Sequence, residues 1–522
     1  MREAMLRWFG HVRRRSLDAP PPELKKQIEN KKKRVAGVEE TLDDRIGQLP
    51  DSLLIQILSL LPTKDAFTTC VLSKRWQYLW TSVDHFIFRC EKESQAENFI
   101  SFVDYALAHS TCSKIKKFQL NFTYLSQYES PWLPKAVKRK FPISRWLSTA
   151  VEKHVEDVVL WSDCSEKDNI DLPQSICICS SLITLYLSCC FFYEKFVIEW
   201  KSLKSLKLKY ITLDDADIVN ILSGSPALET LEFSNVEGFR RLEINSSNLK
   251  RLKFKEYWLP NDGDDHSLEI VAPYIQHLEI SKNLDDLKCR LVNVASVVHA
   301  RLTFRITCSE YSSDSCPDDH QVIKTLVQEY FQKLSCATEL TIGTWFTEVM
   351  LTFEGGLLLP ELKCKCLTLD LHITKFYSYG AAILLQASPH VETLNITMAT
   401  IDLDFSRCKV ELGYLAKGGD IHLLSSFGFP NLKNVKVVSS SGTCLQGHLV
   451  WDYDELFKLS EFILKNAMGL EKFVLISRRR MCKRCSMNCA SQYLFRLAEK
   501  LVGCPRSSAN SMIICQEGAF HD

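Results

Sequence analysis

Hydrophobic residues recur through the middle of the chain in a six-residue pattern, apolar-x-x-apolar-x-apolar. The last two apolar positions are two residues apart, which is the period of a β-strand with one buried face. The pattern predicts one short strand per unit, with a return segment between successive strands. Its clear copies are Ile115-Phe118-Leu120, Val155-Val158-Leu160, Leu182-Leu185-Leu187, Leu203-Leu206-Leu208, Leu228-Leu231-Phe233, Leu249-Leu252-Phe254 and Ile275-Leu278-Ile280.

The spacing of these copies indicates an array of repeats. From Leu182 onward the steps are 21, 25, 21 and 26 residues, within the roughly 20–29 residues of leucine-rich repeats. One return segment predicts a helix that begins after Asp214 as its cap and ends at Gly224, ahead of Pro226. A globular α/β domain with strands at similar spacing is the alternative. Weaker copies follow at Leu340-Ile342, Leu367-Leu369, Val391-Leu394-Ile396 and Leu432-Val435-Val437.

A helical pattern precedes the repeats, between Leu49 and Trp80. We expect Asp51 to cap a first helix and Pro62 to end it. Its wide apolar stripe comprises Leu53, Leu54, Ile57, Leu58 and Leu61.

Two further short helices are expected in this block. Thr63 is placed to cap one that runs through Val71, and Ser73 another with Trp76, Leu79 and Trp80 on one face. Three helices in so short a segment have too little interior to bury this much apolar surface. The remaining apolar surface must be buried either against the following domain or against another protein. A further amphipathic helix is expected from Ala96 to Ala108.

The composition is that of an ordinary globular chain. It has 522 residues, 64 Lys and Arg against 63 Asp and Glu, and 46% hydrophobic residues, which argues against wholesale disorder and against a polytopic membrane protein. The longest apolar run, near Leu182 to Tyr193, is too short and too interrupted to span a bilayer. With no secretory signal at the N-terminus, we interpret most of the 21 cysteines as reduced thiols that act as small apolar residues.

The basic residues are unevenly distributed. Residues 1–40 contain 11 Lys and Arg against 6 acidic residues, and few apolar ones, so we expect a flexible basic arm. Within it, Lys31-Lys32-Lys33-Arg34 could act in nuclear import or could be a solvated run of charge. The near-zero net charge makes nucleic-acid binding by the whole protein improbable.

No catalytic signature is present in the sequence. It has no glycine-rich phosphate loop followed by Lys-Ser/Thr, no His-Glu-x-x-His and no Gly-x-Ser-x-Gly. Cys482, Cys485 and Cys489 could ligate zinc with a fourth ligand such as Cys504, or could be thiols of an exposed basic loop. We favour the loop, and expect neither a metal, nor a cofactor, nor enzymatic activity.

The N-terminal block resembles the F-box of plant F-box/leucine-rich-repeat/FBD proteins. The resemblance lies in Leu49-Pro50-Asp51, Leu61-Pro62-Thr63-Lys64 and above all Leu72-Ser73-Lys74-Arg75-Trp76-Gln77-Tyr78-Leu79-Trp80. Near the C-terminus, Phe429 to Lys433, Leu459 to Ala467 and Cys504 to Ser508 resemble the FBD region of the same family.

The resemblance implies an α/β fold with three parts: an N-terminal three-helix F-box, a leucine-rich-repeat solenoid and a C-terminal α+β FBD module. The expected bounds are residues 1–40 for the basic arm, 42–90 for the F-box, 110–400 for the repeats and 401–516 for the FBD-like module. In the last of these we expect a helix around Glu455 to Ala467, a strand at Leu470 to Ile476 and a helix near Tyr493 to Val502.

The function implied by the resemblance is non-catalytic. An F-box docks on the Skp-type adaptor, and through it on the cullin and RING subunits, of an SCF-type ubiquitin ligase, while the repeats capture a protein substrate for ubiquitination. The alternative is a repeat scaffold that binds proteins without a ligase. No membrane association is expected, and the location is the nucleus, the cytoplasm or both.

The family's F-box positions give the expected adaptor-binding residues. Some of them must form the internal core instead; we favour Leu49, Pro50 and the first-helix stripe for the adaptor and Trp76 for the core. The full set is Leu49, Pro50, Leu53, Leu54, Ile57, Leu58, Leu61, Pro62, Val71, Leu72, Trp76, Leu79 and Trp80.

Substrate selection is expected on the outward side of the repeat strands. Across four consecutive units the outward positions include five cations and only two anions, Glu232 and Glu279. An acidic or phosphorylated ligand near these cations is one interpretation, and an ordinary solvated strand face is the other. The cations, which are the candidate substrate-binding residues, are Lys207, Lys209, Arg251, Lys253 and Lys255.

Overall fold

We examined a computed structural model of the chain. It describes residues 46, 48–91, 96–122, 141–162, 170–192, 196–256, 267–282, 289–304, 317–352, 357–372, 378–399, 428–439, 452–478 and 489–518. Residues up to Gly238 and residues from Phe239 onward form two compact units. The expected basic arm lies outside the described residues.

Helices dominate the start of the first unit and then separate its strands. Two 3₁₀ turns, Thr69–Val71 and Leu79–Ser82, follow the first two helices. The helices are α1 Asp51–Ser59, α2 Thr63–Thr68, α3 Ala96–His109, α4 Ile143–Glu152, α5 Gln174–Cys177 and α6 Asp215–Gly224.

Three details of the predicted F-box helices are wrong. Pro50 occupies the N-cap position of α1, so Asp51 is a first-turn residue whose carboxylate pairs with Arg75 at 2.6 Å. Pro62 likewise precedes α2, and the hydroxyl of Thr63 bonds elsewhere. The expected third helix is a run of turns followed by a 3₁₀ turn. Its i, i+3, i+4 pattern is still satisfied, because Trp76, Leu79 and Trp80 are all buried.

The prediction for α6 is confirmed. Asp214 accepts a hydrogen bond from the backbone N–H of Asp217, and the Asp217 carboxylate accepts one from the N–H of Asp214. This reciprocal capping satisfies two backbone donors at the helix start. The helix ends at Gly224, where a Cβ would lie 2.4 Å from the carbonyl oxygen of Ile198.

Parallel strands follow one another through the rest of the first unit. In the main sheet of this unit β1, β2, β3, β5, β7 and β8 pair in chain order, and the short β4 and β6 pair separately. The strands are β1 His85–Cys90, β2 Lys117–Phe122, β3 Asp157–Ser162, β4 Ile170–Asp171, β5 Thr184–Ser188, β6 Cys190–Phe191, β7 Ser205–Lys209 and β8 Thr230–Ser234.

Each strand of this sheet buries alternate residues, as the repeat pattern predicted. In β7, Leu206 and Leu208 are buried, and the alternating residues Ser205, Lys207 and Lys209 are partly exposed. Three strands end at a residue with left-handed backbone: Cys189, Tyr210 and Asn235 follow β5, β7 and β8 with φ of 55°, 50° and 52°. The same turn therefore closes three successive strands although none of the three residues is glycine.

The second unit continues the pattern with a larger set of strands. Nine of them, β10, β12 and β14 to β20, form parallel neighbours in chain order, and β9, β11 and β13 form a separate parallel sheet. The strands are β9 Arg241–Glu243, β10 Arg251–Lys255, β11 Leu268–Val271, β12 His277–Ser281, β13 Cys289–Asn293, β14 His299–Leu302, β15 Glu339–Gly343, β16 Cys366–His372, β17 Thr393–Ala399, β18 Asn434–Ser439, β19 Lys472–Arg478 and β20 Met512–Gly518.

The helices of the second unit lie among its later strands. The helix and strand expected after residue 450 are present as α10 and β19, and the closing helix begins earlier than predicted, at Cys489. The final strand β20 was not predicted. The helices are α7 Pro317–Lys333, α8 Trp345–Thr352, α9 Ser378–Gln386, α10 Asp452–Asn466 and α11 Cys489–Val502.

Candidate functional surfaces

About half of the expected adaptor-binding residues face the interior. None of these side chains is more than 8% exposed, so they form the core that holds the block together, as was expected for Trp76. The buried set is Leu54, Leu58, Val71, Trp76, Leu79 and Trp80.

The other side of α1 presents apolar residues to solvent. Leu53 is 43% exposed and Ile57 is 42% exposed, and Leu60, directly after the helix, is 79% exposed. These three residues are spaced i, i+4, i+7 and therefore share one helix face. Leu72, which lies outside this helix, is a fourth exposed apolar residue of the block, and its side chain is 45% exposed. Pro50 is exposed, and Leu49, Leu61 and Pro62 are half-buried.

Leu60 was missing from the sequence-based set. It falls outside the five-residue stripe, but its spacing of seven residues from Leu53 was a signal that it continues the outer face. We call Leu53, Ile57, Leu60 and Leu72 the apolar surface of the F-box block.

Aromatic packing fixes this block to the helix α3. Phe67 contacts Trp80 edge-to-face at 4.9 Å between ring centres, and lies 5.9 Å from Phe102 and from Tyr105. Aromatic pairs of this geometry add to the stabilisation from their burial. The rings thus join the short helices to the first unit as one core.

Polar contacts join the same block to the first strand. The carboxylate of Asp84, just before β1, accepts hydrogen bonds from Lys116 at 2.8 Å and His85 at 2.7 Å, and lies 3.2 Å from the hydroxyl of Ser59 on α1. Burial acts to raise the pKa of Asp84, but the bonds from Lys116 and His85 outweigh it, and the pKa is lowered from its ordinary value.

In the first unit, the candidate substrate-binding cations are engaged by neighbours. Lys207 pairs with Glu232, its register partner on β8, at 2.9 Å, and its ammonium lies 5.0 Å from the ring centre of Tyr186. Lys209 lies 4.7 Å from the ring of Tyr210. Burial raises the pKa of Tyr186 to about 12. The positive charge of Lys207 is therefore largely balanced by Glu232.

The candidate cations of the second unit differ in whether a neighbouring carboxylate pairs with them. Lys253 pairs with Glu279 at 3.1 Å across β10 and β12. Arg251, which is exposed, has no carboxylate partner among the described residues, and Lys255 is half-buried at the end of β10. The sequence count of five cations therefore overstates the positive charge that is available to a ligand.

Two histidines lie beside Arg251 in a row across the strands. The register aligns Arg251 with His277 and His277 with His299. The two imidazole rings stack with centres 4.4 Å apart and an interplanar angle of 3°. Nδ1 of His299 lies 2.7 Å from the carboxylate of Glu339, the next residue in the row. His299 was missed in the sequence because the core position after it is Ala300, which weakened the repeat pattern of β14.

Burial and charge act together on the first of these histidines. Burial lowers the pKa of His277, and the positive charges of His299 and Arg251 lower it further, while Glu339 acts weakly in the opposite direction.

The described part of the chain offers no group of three metal-ligating side chains. Cys482 and Cys485 lie outside that part, so the zinc and loop interpretations of this cluster stay predictions. Among the described cysteines, burial raises the pKa of Cys177 to about 12 and raises that of Cys190 well above its ordinary value. These thiols behave as the small apolar residues that the sequence indicated. No described helix is both long and apolar enough to cross a membrane.

Comparison with known proteins resolves the family. Residues 46–88 match the F-box domain, and residues 143–302 match a family described as "FBD-associated F-box protein At5g56370, LRR repeats". The putative F-box/LRR-repeat protein At5g02930 of Arabidopsis thaliana is 30% identical over 360 residues, 68% of this chain and 72% of that protein. The chain belongs to the plant F-box/leucine-rich-repeat family.

Two further relatives extend the comparison. F-box/LRR-repeat protein 13 of Arabidopsis thaliana is 26% identical over 494 residues, which cover 92% of this chain and 98% of that protein. F-box/FBD/LRR-repeat protein At2g26030 from the same plant is 26% identical over 365 residues, 67% of this chain and 78% of that protein. The resemblance expected from the sequence is thereby confirmed: an F-box opens a mixed α/β chain and a leucine-rich-repeat region follows it.

Proposed function

We propose that this F-box/leucine-rich-repeat protein is a non-catalytic substrate-recognition subunit of an SCF-type ubiquitin ligase. Its F-box docks on a Skp-type adaptor, which connects it to the cullin and RING subunits in the nucleus or the cytoplasm. The repeats, wound as a solenoid and completed by a C-terminal FBD module, hold a protein substrate. Ubiquitination then depends on proximity, since tethering raises the effective concentration of the substrate at the ligase.

The observation that carries the proposal is the apolar surface of the F-box block. Four large aliphatic side chains are between 42% and 79% exposed within about 20 residues of one another, while the six buried apolar residues of the same block are at most 8% exposed. Burying such side chains against a partner releases roughly 25 cal/mol per Å² of apolar surface. A surface of this kind, set in a rigid core, is suited to bind an apolar face of another protein.

The assignment of residues to the adaptor follows from their exposure. Leu53, Ile57 and Leu72 are proposed as adaptor contacts, with Leu60 added and with Leu49, Pro50, Leu61 and Pro62 at the margin. The six buried positions of the sequence-based set are proposed to act only indirectly, by holding α1 in place.

The test is capture of a recombinant plant Skp-type adaptor by the purified full-length chain. We expect Leu53→Asp and Ile57→Asp each to weaken capture at least about tenfold, because a carboxylate at the centre of an apolar contact must be desolvated. Val219→Asp is the matched control: Val219 is 66% exposed on α6, outside the F-box, and its replacement is expected to leave capture unchanged. A folded wild-type chain that captures no adaptor would reject the proposal and favour the scaffold alternative.

A further inference from the structure

Three strands of the second unit that are neighbours in its main sheet, β10, β12 and β14, begin with basic side chains on their outward face. They start with Arg251, His277 and His299, which are in register with one another. Adjacent strands of a sheet are about 4.8 Å apart, so the three side chains form a continuous row. The outward position of His277 follows from the repeat pattern, whereas that of His299 is visible only in the structure.

The charges around this row are unevenly compensated. Glu279, two residues beyond His277 on the same strand, is engaged by Lys253. Glu339 is held by His299, and Asp370 is paired with Arg301. Each of these carboxylates already pairs with a basic side chain, and none of them pairs with Arg251 within the described part of the chain. The row therefore ends in an exposed guanidinium beside an imidazole.

We infer that Arg251, His277 and His299 form a binding site for the carboxylate groups of an acidic peptide segment. This inference rests on the proposed function, because it names the class of substrate that the repeats hold. A guanidinium offers a planar fork of N–H donors that matches a carboxylate. Imidazole edges on the two neighbouring strands add donors along an extended peptide.

Geometry and charge complementarity select an acidic occupant. A cationic ligand would meet Arg251 directly, and an apolar one would leave the guanidinium and the imidazoles without partners, which is costly once they are buried. Lys207 and Lys209 of the first unit are not included, because Lys207 is balanced by Glu232 and both lie over tyrosine rings.

The histidines make this binding depend on pH in a defined direction. In the free protein burial, together with the positive charges of His299 and Arg251, lowers the pKa of His277. A bound carboxylate reverses this influence and raises the pKa of His277, so that binding is coupled to proton uptake. Affinity must then increase as the pH falls from 8 to 6, by up to about tenfold for each unit by which the ligand raises the pKa.

The experiment measures binding of a fluorescent twelve-residue peptide with a run of glutamates to the full-length chain, without adaptor, at pH 8 and pH 6. A peptide with glutamine in place of each glutamate is the matched ligand control. We expect the glutamate peptide to bind more tightly than the glutamine peptide, and more tightly at pH 6. Arg251→Gln is expected to weaken binding about tenfold or more, and His277→Gln to reduce the dependence on pH.

Lys433→Gln is the matched protein control. It removes the same amount of charge from the same unit, directly before β18 and six strands from β10, well beyond the roughly 8 Å screening length at physiological salt. It should change affinity by less than about twofold. Equal binding of the two peptides, equal losses in Arg251→Gln and Lys433→Gln, or affinity that does not rise at pH 6 would each overturn the inference.

The two proposals can fail separately. Leu53→Asp should still bind the glutamate peptide, and Arg251→Gln should still capture the adaptor. Capture without peptide binding overturns only the acidic site, while peptide binding without capture overturns only the ligase function.

Discussion

The backbone N–H of Ile87, in β1, donates a hydrogen bond to the hydroxyl oxygen of Thr63 at 2.8 Å. Thr63 is the first residue of α2, and its side chain is buried. The short helices of the F-box block are therefore tied to the first strand by a polar contact, in addition to the packing of Phe67 and Trp80 with the helix α3. A partly buried N–H that lost this acceptor would be left without its hydrogen-bond partner.

Thr63→Val tests this connection, because valine keeps the approximate shape of threonine and has a methyl group in place of the hydroxyl. We expect the free energy of unfolding to fall by about 1–3 kcal/mol, measured by denaturant titration of the full-length chain. Thr149→Val is the control: among the described residues the Thr149 hydroxyl bonds to the carbonyl of Arg145 in its own helix, and the loss of this bond should cost about 0.5 kcal/mol or less. Equal effects of the two changes would contradict the structural role of Thr63.

The two sides of α1 predict opposite results for two leucines. Leu58→Ala should destabilise the chain by about 2–5 kcal/mol, because Leu58 is buried and its truncation leaves a cavity. Leu53→Ala should change the free energy of unfolding by about 0.5 kcal/mol or less, because Leu53 is nearly half exposed. Thermal and denaturant unfolding of the two variants would measure both changes in the free energy of unfolding. A large loss of stability in Leu53→Ala would place that residue in the core and remove it from the proposed adaptor surface.

Gly238 is a position where only glycine fits. Its φ is +111°, and a Cβ there would lie 2.3 Å from the carbonyl oxygen of Leu213. Gly238→Ala must therefore displace backbone, and we expect a loss of about 1–3 kcal/mol or more. Gly503→Ala is the control, since the nearest atom to its Cβ would be 3.7 Å away. Similar unfolding free energies for the two variants would show that the turn at Gly238 is not constrained.

The repeat strands were predictable because their signal is local. Alternation within five residues places Leu206 and Leu208 inside, and the structure agrees. The signal failed for β14, where Ala300 is too small to be recognised as a core residue, and for the sheet of β9, β11 and β13, whose strands follow no repeated pattern.

Polar side chains show the same division between local and distant partners. Asp214 was correctly predicted as a cap because its partner Asp217 is three residues away. Asp51 and Thr63 were wrongly predicted as caps because their partners, Arg75 and Ile87, are 24 residues away. The pairing of Lys207 with Glu232 likewise depends on the register between β7 and β8, which the sequence of neither strand specifies alone.

Adjacent residues of the helix α1 are expected to be under different kinds of selection, one for folding and the other for binding. Changes at Leu54 or Leu58 would reduce the amount of folded protein, and would be removed in any gene copy whose product must fold. If the proposed function holds, changes at Leu53 or Ile57 would leave a stable, abundant protein that no longer binds the adaptor. Under the proposed function such a protein would still bind a substrate and shield it, so a duplicated copy that drifts at these two positions would act as a dominant antagonist of the original.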